Sequence, residues 1–486
     1  MVNIRLVYKI IGSLLFLLGL LMSLCAIMSF CYHEDDIMAF LVSTILTLCA
    51  GLVFKYLGRD SGNNLSRRDA YLLVSSTWVA FSLFGMLPFL ISGYITSVTD
   101  AFFETMSGFS TTGATVIDDV ERLPHALLYW RTQTQWIGGL GIVFVTIAIR
   151  PSMIGGGSVK VFAAEATGPM RSKMHPRLST TAKWIWTVYL GLTVACILSY
   201  YLAGMGWFDS INYAMTTTAT GGFSTHNDST LFFRSASIDY IAIVFQFLSG
   251  INFTMLYYSI FKCKFGSLLR SSEFKLYIAI VLGATLWIGW LLMTRNGYGL
   301  ERALRSALFQ VVSFVTTTGL SNDDPSLWPR ITWIILAGLM FIGACSGSTT
   351  GGFKCIRGVM LFKVLRNEFH KILHPNAVFP VKINRQPIPQ QNLQSLLAFF
   401  TIYVLILFIT VAIMIVSGID IVNAVTIAFG VISNVGPSLS TQIGPEMSWA
   451  LLPVGIKWIC AFLMLVGRLE ILSVLVLFTR AFWKDN

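Results

Sequence analysis

Ten stretches of this 486-residue chain are long and apolar enough to be read as membrane spans, near 6–30, 37–57, 70–93, 127–149, 184–204, 238–262, 274–294, 331–362, 395–417 and 451–480. A spanning helix needs about 20 mostly apolar residues to cross a hydrocarbon core of about 30 Å. No other feature limits the fold as strongly. In lipid every backbone amide must be paired within the protein, so such segments are helices. Composition agrees, with 55% hydrophobic and 12% charged residues, against about 25% charged in soluble domains. A soluble multidomain enzyme is excluded. The first stretch follows Arg5 and Lys9 as a signal peptide would, but it runs from Ile10 to about Cys31. That exceeds the roughly 7–15 apolar residues of a cleaved leader, and it reads as a retained first span.

Charge sets the expected orientation. With the N-terminus inside, the inner segments collect Lys55, Arg59, Arg67, Arg68, Arg150, Lys160, Arg171, Lys173 and Arg177, then Lys262, Lys264, Arg270, Lys354, Arg357, Lys363, Arg366, Lys371, Lys382 and Arg385. The positive-inside rule then places both termini in the cytoplasm. The formal charge of +11 needs no nucleic acid to explain it. The eight cysteines lie mostly in or beside apolar runs, with no CxxC pair, and are expected as packed free thiols.

Four apolar stretches near 100–113, 209–222, 306–319 and 423–436 are left over. At about 14 residues each they are too short to cross, and suit re-entrant segments. All four fall on the outer side, each between two full spans. Their sequences repeat. The first, Asp100 to Gly113, and the second, Asp209 to Gly222, coincide at Asp100 with Asp209, Met106 with Met215, and Gly113 with Gly222. The third ends Val315-Thr-Thr-Thr-Gly319 and the fourth Ser433-Asn-Val-Gly436. A half-helix entering from outside ends with unpaired carbonyls and its negative dipole end at membrane depth. Glycine there permits unusual backbone angles and close approach. Irregular backbone at that depth survives only where it lines a cavity or is buried in protein. Four such strands about one axis would form rings of carbonyl oxygens able to replace the water of a dehydrated cation. Small residues also serve ordinary helix packing in membranes, but four copies in equivalent places favour the pore reading.

Ser110-Thr-Thr-Gly-Ala-Thr115, Thr216-Thr-Thr-Ala-Thr-Gly-Gly-Phe-Ser-Thr225, Thr316-Thr-Thr-Gly-Leu-Ser321 and Asn434-Val-Gly-Pro437 resemble the four filter loops of the Trk/Ktr/HKT potassium transporter superfamily. The likeness covers roughly residues 70–486, and the extra N-terminal pair and overall length resemble the bacterial Trk membrane subunits most. The resemblance implies an all-α polytopic membrane protein with ten transmembrane helices and four re-entrant pore loops. Four pseudo-symmetric span–pore-loop–span repeats would surround one pore. The units would be an N-terminal two-helix unit at 1–69 and repeats at 70–180, 181–270, 271–390 and 391–486. It further implies K+ uptake across the bacterial cytoplasmic membrane. K+ would be bound by filter carbonyls of Thr111, Thr112, Thr220, Gly221, Thr318 and Val435 beside Gly113, Gly222, Gly319 and Gly436. Gly113 rather than serine goes with K+ preference in the family. The fourth loop departs from the pattern, having no threonine. The resemblance also implies a homodimer in membrane lipid and a cytoplasmic nucleotide-binding regulatory ring encoded elsewhere.

The third repeat's second span is interrupted by Gly343-Ala-Cys-Ser-Gly-Ser-Thr-Thr-Gly-Gly-Phe-Lys354. Each glycine weakens a helix by roughly 1 kcal/mol relative to alanine. Phe353 stands where a Walker A loop requires Lys, which removes nucleotide binding. The expectation is a flexible intramembrane loop with Gly343, Ser346, Gly347, Ser348, Thr349, Thr350, Gly351 and Gly352, closing the pore from inside. A close-packing glycine face is the alternative. Arg468 lies in the last span and is either a snorkelling arginine or a cation barrier that binds carbonyls of the broken helix. Glu470, at i+2, does not share its helix face. Asp100, Glu104, Asp209, Asp228, Asp323, Asp324 and Glu446 lie near the outer mouth and would concentrate cations. The rival transport reading is a K+/H+ or K+/Na+ symporter using the same filter, which calls for a titratable group that the filter endings lack. A membrane enzyme is disfavoured by histidines scattered at 33, 125, 175, 226, 370 and 374, and neither catalytic residues nor a cofactor are expected.

Overall fold

The computed structural model describes residues 2–62, 65–141, 178–374, 376–377, 379–384, 386–437 and 448–484. The basic inner stretch with Arg150, Lys160, Arg171, Lys173 and Arg177 lies outside the described residues, as do His175, Arg385, Glu446 and the end of the expected span 127–149.

The long helices come first. They are α1 (Ile4–Tyr32), α2 (Ile37–Leu57), α3 (Arg67–Gly85), α4 (Leu87–Ser92), α7 (Leu178–Leu202), α12 (Ser272–Arg295) and α16 (Gln390–Val416), α3 and α4 forming one run. Among the described residues six helices are long and apolar enough to cross a membrane, or up to eight if each of two bent pairs counts as one. The first two pack backbone to backbone. A side-chain carbon on Gly12 would sit 2.7 Å from the Gly51 carbonyl oxygen and the Lys55 nitrogen, the close approach that small residues allow between membrane helices. Asn3 ties this pair to α3, its N–H donating to Asp69 Oδ1 at 2.7 Å, while Ser66 and Asp69 form a capping box.

Short helices occupy the four repeated segments: α5 (Val98–Phe109), α8 (Trp207–Ala219), α13 (Leu300–Val315) and α17 (Ile421–Ser433). Each is followed by another helix: α6 (His125–Gly139), α9 (Ala236–Ser249), α14 (Arg330–Ile342) and α18 (Val454–Arg468). Packing runs in a closed circuit, α5 to α6, α8, α9, α13, α14, α17, α18 and back to α5. The circuit encloses the repeated sequence endings.

The interruption expected in the eighth stretch is present between α14 and α15 (Cys355–Leu373). Two stretches expected to be straight are broken as well. The 238–262 stretch bends by 104° between α9 and α10 (Phe253–Lys262), and the 451–480 stretch by 113° after α18, before α19 (Ile471–Leu475). The first bend has a local cause: Asn252 Oδ1 accepts from Thr254 N at 2.9 Å and Met255 N at 3.3 Å, capping a new helix. At the second, Glu470 takes a left-handed φ of 58°. Between α15 and α16 lies an antiparallel pair, β1 (Lys382–Ile383) and β2 (Gln386–Pro387), that the sequence reading did not foresee. All eight cysteines are free thiols, but Cys31, Cys49 and Cys263 are exposed rather than packed inside.

Candidate functional site

All four short helices end in the same way. Two residues before the last glycine the backbone turns left-handed, at Thr111, Thr220, Thr317 and Asn434, with φ of 54°, 54°, 56° and 55°. The following N–H bonds back into the helix: Thr112 to Ser107 O at 2.9 Å, Gly221 to Thr216 O at 2.9 Å, Thr318 to Ser313 O at 2.8 Å, Val435 to Gly430 O at 2.9 Å. This is a Schellman cap, a place normally held by glycine or asparagine. Three copies use threonine, a β-branched residue strained there by about 1–3 kcal/mol.

The glycines come next. Gly113, Gly222, Gly319 and Gly436 have φ of 81°, 89°, 81° and 79°, which a side chain disfavours. Space forbids one too. A carbon added to Gly113 would overlap the carbonyl oxygen of Gly221, on Gly222 that of Thr318, on Gly319 that of Val435, and on Gly436 that of Thr112. Each copy therefore abuts the next and the fourth closes on the first. The four glycines line one vestibule of about 50 Å³. The negative ends of four helix dipoles meet around this ring, which favours a cation there. The residues expected at the filter, Thr111, Thr112, Thr220, Gly221, Thr318 and Val435, are brought together at the ring. Thr317 and Asn434, the counterparts of Thr111 and Thr220, were missing from that set. Aligning the copies on their last glycine was the signal for them.

The interrupting loop packs against the base of the ring. Gly351 N donates to Thr317 Oγ1 at 2.8 Å, and Thr349 Oγ1 lies 3.3 Å from Thr220 Oγ1. A carbon on Gly351 would overlap Ser433 O, so three of the four copies touch the loop. Its first arm is held by Asn252 Nδ2, 2.5 Å from Ser346 O, and by Glu273, whose Oε1 accepts from Ser346 N at 2.6 Å. Gly347 O accepts from Phe253 N at 3.0 Å. Ser348 Oγ bridges Cys345 O and Thr350 Oγ1. Gly343 and Gly352 meet backbone to backbone at the loop's neck, and Lys354 Nζ turns back onto the Thr350 carbonyl. Arg468 binds the carbonyls of Thr349 at 2.6 Å, Gly138 at 2.7 Å and Gly139 at 2.5 Å. It is buried and holds the loop to the end of α6, which is not the geometry of a snorkelling side chain. Glu470 instead pairs with Arg357 at 2.6 Å.

The face of α6 carries residues that sequence reasoning missed. Gln135 Nε2 donates to Gly221 O at 2.7 Å, and its Oε1 accepts from Thr216 Oγ1 at 2.7 Å and Phe223 N at 3.1 Å. One turn earlier, Arg131 pairs with Glu104 at 2.9 Å, both side chains being at most 2% exposed. A polar pair at i and i+4 in an apolar span was the available signal. Glu104 is thus a buried, paired group and not a free charge at the mouth. Asp100 is likewise bound, to Lys457 at 2.6 Å. Asp209 lies 3.5 Å from His226 Nε2. Asp324 caps a turn through Ser326 N at 2.8 Å.

A closed circuit of helix pairs around a ring of glycines, with a loop packed against one side of it, is the architecture of a helical membrane transport protein. The chain belongs to the TrkH family, described as cation transport protein, whose pattern matches residues 36–294 and 296–485. It is 37% identical over 484 residues to the Trk system potassium uptake protein TrkH of Halomonas elongata, covering 99% of this chain and 100% of the relative. To the protein of that name in Escherichia coli K12 it is 35% identical over 486 residues, covering 99% and 100%. The crystal structure of the potassium transporter TrkH from Vibrio parahaemolyticus superposes with a TM-score of 0.89 at 34% identity, covering 99% of this chain and 100% of that one.

Proposed function

We propose that this protein carries K+ into the cell through the axis of the glycine ring, as a channel-like pore in the bacterial cytoplasmic membrane. The observation that carries the reading is the ring closure itself: four glycines, each against the carbonyl of the next copy. Carbonyl oxygens in rings replace the hydration shell of K+, and the similar proteins of Halomonas elongata and Escherichia coli are named potassium uptake proteins. In this reading α5, α8, α13 and α17 are re-entrant pore helices, and ten membrane-crossing segments form the units 1–69, 70–180, 181–270, 271–390 and 391–486. The loop 343–354 and Arg468 are the gate. Both termini are cytoplasmic, the protein is a homodimer, and a cytoplasmic nucleotide-binding partner acts on the basic inner surface.

The test is radioactive Rb+ uptake into proteoliposomes holding only this protein, with a K+ gradient and no pH gradient. Uptake that K+ blocks and Gly113→Ser weakens is the expected outcome. Flux that appears only with a proton or sodium gradient would replace the pore with a symporter. Absence of flux under every gradient would overturn transport by this chain alone.

A further inference from the structure

The residue nine places before each ring glycine is Glu104, Tyr213, Gln310 and Ile427 in turn. In three copies its polar end reaches the segment that follows the ring glycine, in the second copy only at Ser229, where a short 3-10 helix (Ser229–Phe233) begins. Glu104 Oε2 accepts from Val116 N at 2.9 Å and Thr115 Oγ1 at 3.1 Å. The Tyr213 hydroxyl donates to Ser229 O at 2.8 Å. Gln310 Nε2 donates to Ser321 Oγ at 2.9 Å and Asp323 O at 3.1 Å. Ile427 has no polar group to offer.

The first copy adds a second charge. Arg131 donates to Glu104, to Thr115 Oγ1 at 3.2 Å and to Ser224 O at 3.2 Å, and its guanidinium lies 4.2 Å from the Phe223 ring centroid. Ser224 and Phe223 belong to the outgoing strand of the second copy, so one ion pair fastens two neighbouring strands. Desolvating two charges this completely rarely gains stability over apolar residues of the same volume. What the pair does supply is fixed geometry, because the planar guanidinium directs its donors in a rigid fork.

We infer that the Glu104–Arg131 pair is the selectivity brace of the ring. By holding the outgoing strands of copies 1 and 2 it prevents the carbonyls from closing on a smaller ion, and Tyr213 and Gln310 do the same more weakly in their own copies. The fourth copy is unbraced at this position. These are positioning residues, and the inference rests on the reading of the ring as a K+ filter.

Rb+ uptake by the full chain in proteoliposomes, titrated with competing Na+, tests it. Glu104→Gln and Arg131→Lys should each lower the Na+ concentration for half-inhibition about tenfold, the loss of 1.4 kcal/mol of discrimination. Arg131→Lys keeps the charge but not the fork, which separates geometry from electrostatic potential. Tyr213→Phe should shift it less, in the same direction. Glu34→Gln is the control: it removes a carboxylate charge at the start of α6, where Glu34 Oε1 accepts from His125 N at 2.8 Å, without touching the ring, and should leave Na+ competition unchanged. Unaltered competition in monodisperse Glu104→Gln and Arg131→Lys, or an equal shift in Glu34→Gln, would overturn the brace. Where the charge variants do not fold, Tyr213→Phe decides, and an unchanged value there overturns it. Wild-type uptake that K+ fails to block would overturn the filter reading itself.

Discussion

Two single residues carry tests of opposite kinds. His226, on the outgoing strand of the second copy, stands between Glu121 Oε1 at 3.3 Å and Asp209 Oδ2 at 3.5 Å, stacked on Phe232. Burial lowers its pKa, but the hydrogen bonds and charges of Asp209 and Glu121 outweigh that and raise it above 6.5. A folded pKa above the unfolded one means that protonated His226 stabilises the fold. The contribution is complete below about pH 6.5 and is lost as pH rises through the folded value. Melting curves in detergent should therefore fall with rising pH across that window in the wild type and less so in His226→Gln; parallel curves would refute the linkage. Arg468 acts on flux. Its three carbonyl contacts bind the loop to the end of α6, and in the proposed gate its charge would oppose cations. Arg468→Ala should raise Rb+ uptake severalfold, on the order of the change from losing 1–2 kcal/mol of barrier. Equal or lower uptake at matched expression would count against it. Sequence reading found Arg468 because a charge in an apolar span is conspicuous. Arg131, as conspicuous in the expected span 127–149, was passed over with Gln135, and the contacts of both show only once it is known which face of α6 meets the ring.

At the scale of elements, the loop between α14 and α15 is the part whose removal is most informative. Asn252 and Glu273 hold its first arm near Ser346, Arg468 binds it at Thr349, and through Gly351 and Thr349 it touches Thr317 and Thr220. If the proposed gate is right, deleting residues 346–351 should raise uptake beyond that of Arg468→Ala, since the backbone packed against the ring is itself gone. Unchanged flux in a folded deletion variant would leave the loop a packing element. The short helices were legible because four copies share length, apolar character and a terminal glycine. The bends after α9 and α18 were not. Each occupies only a few residues, Gly250 to Asn252 and Leu469 to Glu470, inside stretches whose hydropathy satisfies a straight span. Hydropathy measures the medium around a segment and is blind to its direction.

For the whole molecule the proposed orientation can be tested directly, because the chain carries its own probes. Lys and Arg crowd the segments assigned to one side of the long helices, a bias that sets orientation during insertion. It places the turn after α1 outside and the segment after α10 inside. Cys31 lies at the first and Cys263 at the second, and both thiols are exposed. Cys49, also exposed, lies within α2, where lipid would shield it. A membrane-impermeant maleimide applied to intact cells should label a variant retaining only Cys31 and spare one retaining only Cys263. Permeabilised cells should label both. The reverse pattern would invert the molecule and turn the loop at the base of the ring into an external plug. It would then also put the vestibule lined by Gly113, Gly222, Gly319 and Gly436 on the cytoplasmic side. Because the loop packs against one side of the ring and the vestibule lined by the four glycines contains none of its residues, a single accessible thiol orients the whole of the proposed conduction path.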